Sequence, residues 1–137
     1  MKNKAGLMVV VLVLSAVVPA LAQYSGRMKV TVPFDFVVEN DHMHAGEYTI
    51  QQVANGRLRI QSNDGHEAAS FLAIPRQGNV TPEKAHFIFH RYGTEYFLAT
   101  IWTPGLEVGW DVLQGKMEAE IARKGKPLVQ TAMVVGH

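Results

Sequence analysis

R-M-K-V-T-V-P-F-D-F-V-V-E, residues Arg27 to Glu39, is the stretch that decides the fold. Met28, Val30, Val32, Phe34, Phe36 and Val38 fall on one face of an extended chain. Arg27, Lys29, Thr31, Pro33, Asp35 and Glu39 fall on the other, where Val37 is the only apolar intruder. Alternation with period two over this length is the pattern of a strand with one buried and one wet face. Pro33 has no N–H to give to a ladder, so a kink or a break between two shorter strands is expected there.

Reading onward, Glu39 to Gly46 (E-N-D-H-M-H-A-G) is a polar turn, and Glu47 to Ala54 resumes as a strand with Tyr48 and Ile50 inward. Asn55-Gly56, two residues that tolerate positive φ, predicts a tight hairpin to Arg57–Gln61, with Leu58 and Ile60 inward. Asn63-Asp64-Gly65 is a second turn before a strand over His66–Ile74. Pro75 to Lys84 is polar, holds two prolines, and reads as a connection crossing between sheets. His86–Tyr92 and Glu95–Thr103, joined through Gly93-Thr94, form a second hairpin rich in aromatic and β-branched residues. Thr103-Pro104-Gly105 breaks that strand and Leu106–Gly109 reads as loop. Lys116–Lys124 predicts a short helix stopped by Gly125, with Leu113, Met117 and Ile121 four apart on one face. Leu128–Val135 closes the chain as a strand. About seven strands and one short C-terminal helix predict an all-β domain, either an antiparallel sandwich or a small partly open barrel.

The segment before this domain carries a different signal. Lys2 and Lys4 precede an apolar run from Leu7 to Val18, and Ala20-Leu21-Ala22 supplies the small-x-small pattern of a cleavage site. Residues 1–22 therefore read as an export signal cleaved after Ala22, and residues 23–137 as one domain, destined for the periplasm or the medium. Loss of Lys2 and Lys4 leaves 11 basic against 12 acidic residues, a net charge near −1. With no basic stripe, nucleic acid is not an expected partner. The chain has no cysteine, which excludes a disulfide framework, a thiolate metal site, a cysteine nucleophile and a lipidated cysteine. No second apolar run is long enough to span a bilayer, and about seven strands fall short of a membrane barrel.

V-P-F-D-F-V-V (Val32 to Val38), A-G-E-Y-T-I (Ala45 to Ile50), F-H-R-Y-G (Phe89 to Gly93) and Y-F-L-A-T-I-W (Tyr96 to Trp102) together resemble a family of small exported bacterial proteins. In that family a signal peptide precedes one β-rich domain, and L-P-A-G-x-Y-x-V follows the first strand. Here Met43-His44 stand in place of Leu-Pro, which loosens the turn and puts a histidine in it. The resemblance implies fold and export; it brings with it no activity and no functional residue.

Two constellations carry the chemical possibilities. His42 and His44 form an H-x-H pair whose rings, on an extended chain, project to one side about 6.5–7 Å apart, a spacing that can chelate a metal. A site would need a third ligand, with His66, Glu47 or Asp41 as candidates; otherwise the pair is two solvated turn histidines. Trp102 and Trp110 flank T-P-G-L-E-V-G, and with Tyr92, Tyr96 and Arg91 would make an aromatic rim for a glycan, a peptide or an apolar ligand. The competing reading buries Trp102 in the core and uses Trp110 to pack the helix on the sheet. His86 and His90 are about 13 Å apart along one strand, too far to act as a pair. Ser25, Ser62 and Ser70 lie in no nucleophile elbow, and Asp35, Glu39, Asp41 and Glu47 read as solvated turn acids. No nucleotide fingerprint is present and no cofactor is expected. The leading expectation is a non-catalytic binding or structural module of the envelope or secretome. The alternatives are a metal protein built on His42 and His44, and a lipocalin-like carrier of a small apolar ligand in a hollow barrel.

Overall fold

The computed structural model describes residues 26–124 and 130–137. The predicted export signal over residues 1–22, Ser25, the predicted helix stop at Gly125 and the first two residues of the predicted last strand lie outside these. The fold is all-β with one short helix. The opening stretch breaks at Pro33 into β1 (Arg27–Val32) and β2 (Phe36–Val38). Met28, Val30 and Val32 are buried while Arg27, Lys29 and Thr31 are exposed, as the alternation requires. β1 pairs with β4 (Gly46–Ala54), whereas β2 pairs with β3 (Asp41–Met43) and lies parallel beside β8 (Glu95–Trp102). The proline break therefore carries the chain from one half of the sheet to the other. Asp35 secures it, its carboxylate accepting the Ala45 N–H at 2.9 Å.

Glu39 to Gly46 is more than the polar turn read from its composition. Its middle is β3, and the turn proper is Glu39-Asn40, with Glu39 at φ 55. A left-handed conformation costs a non-glycine residue on the order of 1 kcal/mol, and two anchors hold it here. The Glu39 carboxylate accepts the Leu72 N–H at 2.7 Å, and the Asn40 side-chain oxygen accepts the Lys116 N–H at 2.9 Å. Lys116 opens helix α1 (Lys116–Arg123), so Asn40 satisfies from a distance a helix N–H that Gly115 cannot cap with a side chain.

β4 and β5 (Arg57–Ser62) form the predicted hairpin through Asn55-Gly56, with Gly56 at φ 75. β6 (Ala68–Gln77) corrects the reading of Pro75–Lys84 as the crossing loop, because the strand runs through Pro75 and does the crossing itself. Its first half pairs with β5 and its second with β9 (Val108–Val112). Pro75 is tolerated because β5 has ended by then, so the missing N–H faces no partner. β9 also corrects the reading of Leu106–Gly109 as loop. β7 (His86–Tyr92) and β8 form the second predicted hairpin, and β10 (Gln130–Val135) lies on the free side of β7. Splitting the first strand and adding β3 and β9 turns the seven strands read from sequence into ten among the described residues.

The sheet order is β1-β4-β5-β6-β9-β8, where β8 gives one edge to β9 and β2 and the other to β7 and then β10. The sheet coils round a single core to which β1 to β8 supply buried side chains. It stays open: the chain end reaches β1 through His137, whose N–H is accepted by the Lys29 carbonyl at 3.0 Å and whose Nε2 lies 2.8 Å from Thr31 Oγ1. Tyr48, Phe71, Phe87 and Phe89 are each at most 2 % exposed, and burying such a ring stabilises by about 1.5–3 kcal/mol. The interior is thus filled with side chains, against the hollow barrel that the carrier reading requires.

A second, smaller core lies on the outer face. Val37, Tyr92 and Phe97 project away from the main core and are covered by Met117 and Ile121 of α1. This explains the one break in the alternation of the opening stretch: Val37 points outward, but under the helix. Trp110 does not pack the helix; it sits in β9, opposite Ile101, against the main core.

Candidate functional site

The outer face of the β7–β8 pair continues beyond the helix, and there it is uncovered. The register sets His86 opposite Trp102 and Ile88 opposite Thr100, then slips by one residue so that Phe89 faces Leu98 and Ala99 is the extra residue of a bulge. Trp102 therefore projects outward, away from the core that Ile101 enters. Its ring lies against two glycines. A Cβ added at Gly109 would be 2.6 Å from Trp102 Cε3, and one added at Gly78 2.8 Å from Cζ3. These distances are shorter than side-chain contacts allow, so both positions need glycine for the indole to lie where it does. The indole borders a groove of about 350 Å³, walled by Val80, Pro82, Ile88, His86 and Met133. Val80 and Met133 are 66 % and 58 % exposed, a high value for large apolar side chains on one concave surface.

Arg76 joins this groove to a second, polar pocket. Its guanidinium carbon stands 5.6 Å from the Trp102 ring centroid, a cation–π arrangement, while Nη1 donates to Asp111 Oδ1 at 3.1 Å. Thr100 Oγ1 donates to the same oxygen at 3.1 Å. The pocket, about 280 Å³, is completed by His90, Gln114 and Glu118. Glu118 is 5 % exposed, a carboxylate buried at the base of α1, and it has two partners. Tyr92 Oη donates to Oε2 at 3.0 Å, and His90 Nδ1 is 2.7 Å from the same oxygen. Burial, followed by the hydrogen bond and charge of Glu118, pushes the Tyr92 hydroxyl up to about 12. Tyr92 is therefore a permanent donor, and the Glu118 contact directs the other nitrogen of His90 away from the helix.

Of the five residues read as one aromatic rim, the structure brings only Trp102 to this groove. Tyr92 is buried beneath the helix. Tyr96 stacks on Phe34 with ring centroids 3.8 Å apart, and the Arg91 guanidinium covers its ring at 5.5 Å. Tyr96 and Trp102 stand at opposite ends of β8, about 20 Å apart at the rise of a strand, and Trp110 faces the core. The rim is thus divided because the residues alternate across a sheet and spread along it.

His42 and His44 are also separated in their engagements. His42, opposite Val37, borders a shallow cleft of about 190 Å³ with Tyr96, Thr94 and Glu95. His44 is clasped by Glu67, whose Oε1 accepts the His44 N–H at 3.0 Å and whose Oε2 lies 2.9 Å from Nδ1. That hydrogen bond and the Glu67 charge raise the His44 pKa above the ordinary imidazole value, and the same contacts, the backbone N–H first, lower that of Glu67. Of the possible third ligands, Glu47 accepts from the Asn63 amide at 2.8 Å, and Asp41 stands opposite Val38 in the β2–β3 ladder. Among the described residues no three histidine or carboxylate side chains are placed to hold a metal ion. The H-x-H pair is divided between two neighbours. Ser62 is spent on its turn, donating to Asp64 at 2.7 Å.

Sequence reasoning missed Arg76, Asp111 and Glu118. Asp111 lay in no recognised strand, and Arg76 was assigned to a loop. Gly78 follows β6 and Gly109 lies within β9; a glycine inside a strand, as at Gly109, was the one signal that something large lies against the backbone. Among the described residues no helix is long and apolar enough to cross a membrane. Comparison with protein families, with curated proteins and with solved structures finds no match for this chain.

Proposed function

We propose that this chain is an exported, non-catalytic β-domain that binds the apolar part of a small ligand in the groove at Trp102. Export rests on the Lys2/Lys4, Leu7–Val18 and Ala20-Leu21-Ala22 pattern and on the resemblance to small exported bacterial proteins. The observation that supports the binding reading is the indole of Trp102 seated on Gly78 and Gly109, with its groove left open and walled by Val80, Ile88 and Met133. Two positions surrender a side chain to hold that ring at a surface, whereas packing alone would have turned it inward. About 350 Å³ is at the small end of ligand pockets, the size for one ring system or a short chain.

The chain has two tryptophans, so Trp110→Phe leaves Trp102 as the sole indole reporter. Titration of residues 23–137 carrying this change with the neutral dye N-phenyl-1-naphthylamine should give saturable binding, with quenching of Trp102 emission. Met133→Asp should weaken it about tenfold or more, the effect of a charge set into an apolar wall. Non-saturable binding, or binding indifferent to Met133→Asp and Trp102→Ala, would sink the reading.

A further inference from the structure

The polar pocket beside the Trp102 groove specifies what the other end of the ligand is. We infer that the groove and the pocket together take an apolar-bodied amine: the body against Trp102, the ammonium among Asp111, Glu118 and Thr100. This rests on the groove reading above and goes beyond it by assigning a chemical class.

The two cavities lie side by side on the outer face of the sheet. Trp102 and Thr100 are two residues apart on β8, about 7 Å along the strand, and Ile88 and His90 occupy the matching positions on β7. Arg76 forms the shared wall, touching the Trp102 ring on one side and Asp111 on the other. A ligand with a two- to three-carbon spacer between ring and head therefore spans both. Its head meets two carboxylates, Asp111 and Glu118, against one permanent cation, Arg76, which Asp111 already engages. Asp111, Glu118 and Arg76 together present a charge of −1 to the head. An anionic head would have to displace Asp111 from Arg76 and would still stand beside the buried Glu118, a like-charge contact that an interface disfavours. An ammonium meets the opposite balance, with Asp111 and Glu118 as acceptors.

The test uses three ligands of one shape, 2-phenylethylamine, 2-phenylethanol and 3-phenylpropionate, displacing N-phenyl-1-naphthylamine from residues 23–137 carrying Trp110→Phe. The amine should bind about tenfold or more tighter than the carboxylate, with the alcohol between. Asp111→Asn together with Glu118→Gln, which keep the shape and the hydrogen bonds, should collapse that ratio toward one while the neutral dye still binds saturably. Thermal unfolding of the double variant certifies its fold. Equal affinities for amine and carboxylate, or a preference for the carboxylate, overturn the amine assignment and leave the groove standing. A preference that survives both substitutions overturns the pocket's role. If the dye itself does not bind, the groove reading fails first, and that result is separate from either of these.

Discussion

The outer face of the β7–β8 hairpin is apolar at both ends, yet only one end is covered. Near the turn, Val37, Tyr92 and Phe97 lie beneath Met117 and Ile121 of the helix. At the far end, Trp102, Ile88 and Met133 have the same character, and among the described residues no helix lies over them. A sheet face that needed only to be stable would carry charged or β-branched polar residues where nothing covers it. The contrast teaches that burial and exposure of similar side chains along one strand pair separate a structural patch from a binding one. The two ends also meet at a hinge of polar groups, Glu118 serving the helix on one side and lining the polar pocket on the other.

The largest expected effect breaks the covered end. Phe97→Ala should cost about 3–4 kcal/mol by urea unfolding, without altering dye affinity per folded molecule. Trp102→Ala should do the reverse, abolishing saturable dye binding while lowering stability less, because a partly exposed ring loses less burial. If Phe97→Ala and Trp102→Ala change stability and binding in proportion, the two ends are one structural unit and the distinction fails.

Next in size is Gly109→Ala. The added methyl carbon would be 2.6 Å from the Ile101 carbonyl oxygen as well as from the Trp102 ring, so the backbone must shift at a cost of about 1–3 kcal/mol. Trp102 emission in the Trp110→Phe background should move to longer wavelength as the ring is expelled. Unchanged emission would show that the glycine does not seat the indole.

Loss of His90 should cost about 1–2 kcal/mol, since His90→Ala takes from the buried Glu118 one of its two partners. Adding Glu118→Leu with Tyr92→Phe should recover that loss, since neither the carboxylate nor the buried hydroxyl that donates to it then remains to need a partner. A triple variant less stable than His90→Ala would mean that Glu118 is held by more than these contacts.

The smallest effect concerns the exposed His44–Glu67 pair. Glu67 has a lowered pKa, so its contribution is present above its unfolded value and fades as pH falls through the folded one. His44 has a raised pKa, so its contribution is complete below its unfolded value and fades as pH rises through the folded one. The Tm difference between the natural chain and His44→Ala should therefore peak between those two titrations and shrink on both sides. A difference independent of pH would assign His44 a packing role instead.

Much of the fold was legible because it rests on local signals. The alternation of Met28 to Val38, the break at Pro33, the Asn55-Gly56 and Gly93-Thr94 turns and the Lys116–Arg123 helix each follow from neighbouring residues. β3 and β9 were not legible, since three residues of D-H-M and five of V-G-W-D-V carry turn-like compositions. They become strands only because β2 and β6 offer them edges. Pro75 misled in the same way: its effect depends on whether a partner strand lies beside it. At the site, Trp102 was singled out from its residue type, but the other four members of the supposed rim proved to face elsewhere.

By itself, the sequence determined that the chain reads as an export signal followed by a β-rich domain, which strands would form its hairpins, and which residues would fill its core. These are matters of period, turn chemistry and side-chain polarity, which act within a few residues. Only the tertiary structure decided that Arg76, 26 positions before Trp102, would lie over its ring, that Asp111 and Glu118 would share one pocket, and that His42 and His44 would look to different neighbours. Those outcomes depend on strand register, on a one-residue bulge at Ala99 and on where a helix stops covering a sheet, and each joins residues distant in the chain.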